Sequence, residues 1–152
     1  MTNIKIITKN RHAYHEYLVL EKFEAGIVLQ GTEVKSIRVN SAISLKESYV
    51  DFTKGEAWLT GARVSPYRQG NINNHDPDRP RKLLLNKREI YKLMRQVEEK
   101  GMTVVPLSAY FKEGKVKIEI GLCRGKHLYD KRDTIKKREA DREMERAMKR
   151  VK

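Results

Sequence analysis

A chain of 152 residues has room for one domain and a short appendage. Hydrophobic residues make up 39% and charged residues 35% of it, so we expect one modest core rather than two. It carries 33 Lys and Arg residues against 20 Asp and Glu residues. The net charge of +13 favours polyanions or anionic membranes as partners and disfavours cationic ligands.

Several classes of protein are excluded by the same composition. No apolar run approaches the roughly 20 residues of a membrane-spanning helix. The first residues, MTNIKIITKNR, lack the apolar stretch of a secretory signal. Cys123 is the single cysteine, which rules out an internal disulfide framework and fits a reducing compartment. The expected location is therefore the cytoplasm.

The first third of the chain predicts one long strand and one short helix. Residues 14–29, YHEYLVLEKFEAGIVL, are rich in aromatic and branched side chains, which favours a strand. The segment TEVKSIRV follows Gly31. Its apolar residues Val34, Ile37 and Val39, after a Thr32 start, predict a short helix.

Two hairpins are predicted from turn residues and matched alternation. Lys54–Gly55 makes a two-residue turn that sets Phe52 opposite Ala57 and Val50 opposite Leu59. The same register places the pair Thr53 and Glu56 beside the turn, with Tyr49, Asp51, Trp58 and Thr60 on the other face.

The second hairpin turns at Glu113–Gly114. A single register would match four apolar pairs, and a slip of one residue would turn half of them outward. The predicted pairs are Phe111 with Val116, Ala109 with Ile118, Leu107 with Ile120, and Val105 with Leu122.

The segment between the hairpins predicts a long loop, a short strand and a helix. Residues 65–82 hold three of the four prolines, which is typical of a loop, and Leu83 to Leu85 predicts a strand. Asn86 with Glu89 has the form of a capping box. Ile90, Leu93, Met94 and Val97 recur at helical spacing, and Gly101 ends the predicted helix.

The composition changes near Gly125, which divides the chain into a core, 1–125, and a basic tail, 126–152. The tail holds eleven Lys or Arg against six Asp or Glu. From Ile135 onward its pattern is helical, but its apolar stripe is thin, so we expect it to be disordered or loosely helical alone and to fold on a partner. The alternative is a helix docked on the domain.

Short twisted strands, modest helices and a small core predict a mainly β fold with flanking helices, namely a closed β-barrel of the oligonucleotide-binding type. Such a domain would bind RNA by neutralising phosphates and by stacking unpaired bases on aromatic rings. The candidate rings either stack on bases or cover a barrel face, and Tyr129 lies where nothing apolar would bury it. The other candidates are Tyr14, Tyr17, Tyr49, Trp58 and Tyr67.

The sequence predicts neither an active site nor a cofactor. His12, His15 and the pair Cys123 with His127 do not complete a metal-ligand spacing, so no metal is expected. His75 and Asp76, beside basic residues, would suit acid–base cleavage of RNA, but Asp76–Pro77 is also an ordinary turn opener, and we favour the turn.

Two acidic residues lie within basic surroundings. Glu24 and Glu33 flank the apolar run around Gly26. A carboxylate in this setting pairs with an Arg, accepts from a base amino group or sugar hydroxyl, or is simply solvated at a strand edge.

Three segments together resemble one family, the SmpB or SsrA-binding proteins. They are NRHAYHEYLVLEKFEAGIVLQGTEVKSIRV at 10–39, HDPDRPRKLLLNKRE at 75–89 and GLCRGKHLYDKRDTIKKR at 121–138. The resemblance extends over nearly the whole chain, in order. His127 stands where the family usually has Lys, and Cys123 where it has a small residue.

The resemblance implies a bacterial, non-enzymatic partner of transfer-messenger RNA (tmRNA, or SsrA RNA). The core would bind the tRNA-like domain of tmRNA and replace its missing anticodon arm. The complex would enter the A site of a stalled 70S ribosome, where the tail would contact small-subunit RNA in the decoding centre and message channel. Elongation factor Tu with GTP would deliver the alanine-charged tmRNA for trans-translation, the tagging of the stalled peptide.

The resemblance also implies the site residues. Glu24, Leu84 and Asn86 match positions linked to tmRNA binding, although Asn86 would also cap a helix and the residue type of Leu84 suggests core. Cations near these positions would contact the RNA: Lys35, Arg38, Arg81, Lys82, Lys87, Arg88, Arg124 and Lys126. The tail residues expected in the decoding centre are Tyr129, Asp130, Lys131, Arg132, Lys136, Lys137 and Arg138.

Three alternatives stay open at this stage. A constitutive ribosomal structural protein is also basic and tailed. An RNA-processing enzyme would use His75 and Asp76. A membrane-surface role for the tail helix is weaker, because its stripe lacks Trp, Phe and Leu anchors.

Overall fold

The computed structural model describes residues 4–67 and 74–125. About half of these residues lie in antiparallel strands, with three helices at the flanks. The strands are β1 (Ile4–Lys9), β2 (Tyr17–Ile27), β3 (Ile43–Ser44), β4 (Tyr49–Thr53), β5 (Glu56–Thr60), β6 (Arg63–Val64), β7 (Arg81–Leu84), β8 (Thr103–Lys112) and β9 (Lys115–Gly125). The helices are α1 (Arg11–Glu16), α2 (Gly31–Asn40) and α3 (Lys87–Lys100).

Seven strands form one sheet in the order β1-β8-β9-β2-β7-β5-β4, and β3 pairs with β6 in a separate two-stranded sheet. β4 packs near β8, so the large sheet curls back on itself. Its hydrogen bonds do not form a closed ring, because β1 and β4 are edge strands within the described residues. The mainly β fold with flanking helices is confirmed, whereas closure of the sheet into a barrel is not.

The first hairpin has the predicted register. Phe52 lies opposite Ala57, Val50 opposite Leu59, and Thr53 pairs with Glu56 beside the turn. Lys54 and Gly55 both have positive φ, 52° and 74°, as a two-residue turn that matches the strand twist requires.

The second hairpin has the predicted register only near its turn. The pairs of Phe111 with Val116 and Ala109 with Ile118 are confirmed. Beyond them a β-bulge intervenes, so Ile120 lies opposite Pro106 rather than Leu107. The prediction of Leu107 with Ile120 and Val105 with Leu122 is therefore wrong by one residue.

The bulge is tolerated because β8 is buried on both faces at this end. Val104 faces the main core, whereas Val105 and Leu107 pack with Ala13 of α1 and Cys123 of β9. The expectation of one core is corrected by this second, smaller cluster beneath α1. Burial there raises the pKa of the Cys123 thiol to about 12.

The helix predicted after Asn86 is confirmed as α3, and the one after Gly31 as α2, which begins at Gly31 itself. Leu93 of α3 is fully buried against the main core. The predicted strand 14–29 starts only at Tyr17, because residues 11–16 form α1 under an Asn10 cap. β7 begins at Arg81, two residues before the strand that the leucines predicted.

The tail, 126–152, lies outside the described residues, and so do the predictions that concern it. Among the described helices, none combines the length and apolar character needed to cross a bilayer.

Candidate nucleic-acid interface

Away from α1, the large sheet presents one face to the main core and one to solvent. Across the solvent side, which we call the outer face, Leu84 of β7 lies opposite Gly26 of β2, and Gly26 lies opposite Lys117 of β9. Lys117 in turn lies opposite Tyr110 of β8. Residues directly opposite one another share a face, so these side chains form one row. Alternation along the strands adds Glu24, Lys82 and Lys112 to the same face.

Glu24 is held on this face by two residues of β8. Its Oε2 accepts a hydrogen bond of 2.5 Å from the hydroxyl of Tyr110, and Lys112 Nζ lies 3.1 Å from its Oε1. The hydrogen bond from Tyr110, reinforced by Lys112, lowers the pKa of Glu24 despite its partial burial. The side chain stays 38% exposed, so Glu24 is an oriented acceptor with room for a donor from a ligand.

Leu84 lies on the surface, 53% exposed, and not in the core that its residue type suggested. Its position depends on the residue beside it. A Cβ on Gly26 would lie 3.2 Å from the Cβ of Leu84, so Gly26 leaves the space that this leucine fills. An exposed leucine among lysines suits contact with a sugar or a base face.

Asn86 caps α3 with its side-chain oxygen. Oδ1 accepts a hydrogen bond of 2.9 Å from the backbone N–H of Glu89, whose carboxylate accepts one from the backbone N–H of Asn86. This is the predicted capping box. The side-chain NH₂ group of Asn86 donates to nothing in the described part of the chain, so capping by Oδ1 leaves this donor available.

Glu33 proves to be a buried partner of two arginines rather than a ligand contact. Its Oε2 accepts hydrogen bonds of 2.5 Å from Arg81 Nε and 3.2 Å from Arg79 Nε, and its Oε1 pairs with Arg79 Nη2 and the backbone N–H of Gln30. Burial opposes ionisation of Glu33. The hydrogen bonds from Arg79, Gln30 and Arg81 outweigh it and hold the pKa of Glu33 below its ordinary value.

The placement of Arg81 corrects its assignment to the RNA contacts. Its side chain is fully buried, and Nε bonds Glu33. The two terminal nitrogens donate to four backbone carbonyls, those of Ala62, Arg79, Asp76 and Pro77. All five donors are used inside the protein, so Arg81 fixes the end of the 65–82 loop to β7 and is out of reach of a surface ligand.

The remaining predicted cations lie at the surface. Lys35 and Arg38 are exposed on α2, and Arg38 reaches the carbonyl of Gly114 in the second hairpin turn at 3.5 Å. Lys82 is half-buried on the outer face, 3.6 Å from Glu56. The exposed residues Lys87 and Arg88 begin α3, and the exposed Arg124 lies one residue before the end of β9. Lys126 and the decoding-centre set lie outside the described residues.

The histidine proposed for cleavage chemistry has a structural place. His75 is buried, with Nδ1 2.9 Å from Thr32 Oγ1 and Nε2 2.8 Å from the carbonyl of Val64. Both ring nitrogens are engaged in joining the loop to α2 and β6. This arrangement supports the interpretation of Asp76–Pro77 as a turn. It leaves neither ring nitrogen of His75 available to a substrate.

Among the aromatic candidates, Tyr14 and Tyr49 are the most exposed, at 41% and 45%. Tyr17, Trp58 and Tyr67 are half-buried.

Three residues of the interface were missed from sequence, namely Tyr110, Lys112 and Lys117. Alternation along β8 and β9 puts them on the face opposite the predicted apolar pairs. This alternation was the sequence signal that could have identified them.

The outer face and its cations define the class of protein: a small, basic β protein that binds a polyanion. Its solvent-facing sheet surface presents an oriented carboxylate and an apolar residue among lysines. The family model described as "SmpB: SmpB protein" matches residues 7–150. The chain belongs to this family.

Relatives and a solved structure support the assignment. The SsrA-binding protein of Carboxydothermus hydrogenoformans is 55% identical over 95% of this chain and 96% of its own. That of Streptococcus mutans is 53% identical over 95% of this chain and 92% of its own. A chain of the structure described as "tmRNA-SmpB: a journey to the center of the bacterial ribosome" is 48% identical and superposes with a TM-score of 0.65, covering 78% of this chain and 83% of that one.

Proposed function

We propose that this protein binds the tRNA-like domain of tmRNA through its outer face and brings it to the A site of stalled ribosomes for trans-translation. It acts as an adaptor and not as an enzyme. The observation that carries the proposal is the placement of Glu24, Leu84 and Asn86, the residues matched to tmRNA binding. All three are exposed on β2, β7 and the N-terminus of α3, in a chain more than half identical to SsrA-binding proteins.

The chemistry of each residue suits a folded RNA. Lysines 82, 112 and 117 with Arg38 neutralise phosphates, and a net charge of +13 draws the RNA in. The oriented carboxylate of Glu24 accepts from a base amino group or a ribose hydroxyl. The amide of Asn86 donates, and Leu84 covers a sugar or base. The interface therefore combines positioning by charge with a few directional contacts.

The second part of the proposal concerns the tail. Residues 126–152 would enter the decoding centre, with Tyr129 stacking on a base and Asp130, Lys131 and Arg132 contacting small-subunit RNA. The segment from about Ile135, with Lys136, Lys137 and Arg138, would fill the empty message channel as a helix. Elongation factor Tu with GTP would deliver the alanine-charged tmRNA, and the cytoplasm would be the place of action. The curled sheet would serve as an oligonucleotide-binding-type barrel.

Deletion after Gly125 tests this division of labour. The truncated protein should bind the tRNA-like domain almost as well as the full chain in a filter-binding assay, and should fail to support peptide tagging on ribosomes stalled in a reconstituted system. Loss of RNA affinity on truncation, or tagging without the tail, would contradict the proposal.

Two further measurements separate the proposal from a constitutive ribosomal protein. Affinity for tmRNA should fall steeply with salt, with a log–log slope of about −0.7 to −0.9 for each phosphate neutralised. In sucrose gradients the protein should follow tmRNA and stalled ribosomes. Equal occupancy of all ribosomes, independent of tmRNA, would favour the structural-protein alternative instead.

A further inference from the structure

The outward side of α3 carries an aromatic ring that the fold does not use. Leu93 is buried, and Ile90, Met94 and Val97 lie beside it on the side of α3 that meets the core. On the opposite side Tyr91 is 66% exposed. A tyrosine that packs against the protein would be largely covered, so this ring is presented to solvent.

Cations surround Tyr91 at helical spacing. Lys87 and Arg88 lie one turn before it, and Arg95 lies one turn after it, with its guanidinium carbon 6.0 Å from the ring centre. These residues line a shallow groove along the helix. Lys87 and Arg88 form no ion pair within residues 4–67 and 74–125.

The neighbouring lysine on α3 has a different task. Lys92 Nζ lies 2.8 Å from a carboxylate oxygen of Glu21 and 5.7 Å from the ring centre of Phe23, both on β2. Lys92 therefore helps to hold α3 on the sheet. Within the described residues, Tyr91 and Arg95 have no such partner on another element. The ion pair that Arg95 forms there is with Glu99 on its own helix at 3.3 Å, and both side chains are more than half exposed.

We propose that this side of α3, which we call the Tyr91 face, is a second RNA contact in which Tyr91 stacks on an unpaired base. Lys87, Arg88 and Arg95 hold the flanking phosphates. Aromatic stacking next to cations is the chemistry with which proteins hold single-stranded RNA. A single ring among three cations buries too little apolar surface for a protein partner and matches the charge of a polynucleotide.

The inference rests on the proposed function and extends it along the helix. The Tyr91 face runs from Lys87, next to the Asn86 cap, to Arg95, so it continues the proposed interface by roughly 12 Å along the helix. The base has two possible sources with the same chemistry, tmRNA itself or ribosomal RNA. The experiment distinguishes them.

The first test measures binding of four variants to the tRNA-like domain of tmRNA and to stalled ribosomes loaded with tmRNA. Tyr91→Ala should weaken one of these two interactions by about tenfold, since stacking on one base is worth roughly 1–3 kcal/mol. Tyr91→Phe keeps the ring and should bind as the parent does. Arg95→Gln should weaken the same interaction and reduce its salt dependence, whereas Lys46→Gln, an exposed charge elsewhere, should leave both unchanged.

The second test places a photo-reactive benzoylphenylalanine at Tyr91 in the full-length protein. Irradiation should crosslink it to RNA, and sequencing the crosslinked RNA identifies tmRNA or ribosomal RNA as the source. Unchanged binding of Tyr91→Ala in both assays, or crosslinks to protein alone, would overturn the inference. Leu84→Ala, measured in parallel, reports on the outer face. If it alone weakens binding, the proposed function stands and only the Tyr91 face is lost.

Discussion

The hydroxyl of Tyr110 donates a hydrogen bond of 2.5 Å to Glu24, although 86 residues separate the two in the chain. The bond spans from β8 to β2 over the intervening strand β9. It gives the carboxylate a fixed direction on a face that is otherwise lysine-rich. Burial, together with this hydrogen bond and the charge of Glu24, raises the pKa of Tyr110 well above that of a free phenol. Tyr110 therefore stays a donor at every physiological pH.

Tyr110→Phe removes this donor and keeps the ring. We expect the pKa of Glu24 to rise towards its ordinary value and RNA affinity to fall about threefold to tenfold, the equivalent of one lost hydrogen bond. The site-resolved titration of the Glu24 carboxyl by NMR measures the first effect, and filter binding the second. Tyr49→Phe, on the edge strand β4, is the matched control and should change neither.

The same contact fixes how stability responds to acid. The folded-state pKa of Glu24 lies below the unfolded value of about 4.3, so its stabilisation is complete above that pH and is lost as pH falls through the folded value. Urea unfolding should show the parent more stable than Tyr110→Phe at neutral pH, with the gap narrowing in acid. A gap that widens in acid would contradict this account.

Two substitutions at Asn86 separate its role as a helix cap from its proposed role in RNA binding. Asn86→Asp keeps an oxygen for the Glu89 N–H and replaces the amide donor by a negative charge, so stability should be unchanged while RNA affinity falls. Asn86→Ala loses the cap as well and should lower the free energy of unfolding by about 1 kcal/mol. If Asn86→Asp bound RNA as the parent does, the residue would be a cap only.

Leu84 and Leu18 form a matched pair of exposed leucines, at 53% and 48%. Leu84→Ala should weaken binding to the tRNA-like domain several-fold, because it removes the apolar contact that β7 adds to the outer face. Leu18→Ala should not, since Leu18 lies at the far end of β2 beside Arg124. Neither should alter the urea midpoint by much, as exposed positions contribute little to stability. Equal binding by the two variants would remove Leu84 from the interface.

Glu33→Gln tests the buried pairing with Arg79 and Arg81. It leaves the buried guanidinium of Arg81 without its counter-charge, which costs about 3–5 kcal/mol in comparable sites. Urea unfolding measures the loss. Glu56→Gln removes the exposed pair with Lys82 and should change stability by less than about 1 kcal/mol. If both variants lost equally little stability, Glu33 would not hold the loop to the sheet.

The hairpins were predictable because their turns and alternation are local. Lys54–Gly55 and Glu113–Gly114 fix the registers of the strands beside them, and both registers are found next to the turns. The bulge at Leu107 was not predictable in the same way, since it depends on α1 covering the other face of β8. β1 was missed because its alternation is short and its partner, β8, lies a hundred residues away in the chain.

The site was predictable only in part for the same physical reason. Asn86 and its cap depend on the next three residues. Arg81 looked like a surface cation because the charge that allows its burial belongs to Glu33, 48 residues earlier. Residues matched by family resemblance were found at the surface, but the partners that orient them, such as Tyr110, are set by strand pairing.

Gly121 gives the sharpest test of the packing beneath α1. A Cβ at this position would lie 2.8 Å from Leu107 Cδ1 and 3.2 Å from Val19 Cγ1, and Leu107 is fully buried and has no room to retreat. Gly121→Ala should therefore lower the free energy of unfolding by about 1–3 kcal/mol. Gly31→Ala, where a Cβ meets nothing within 4 Å, is the control and should be neutral or slightly stabilising. Equal stability of the two variants would mean that the β8–β9 bulge relaxes easily and that the second cluster is not tightly packed.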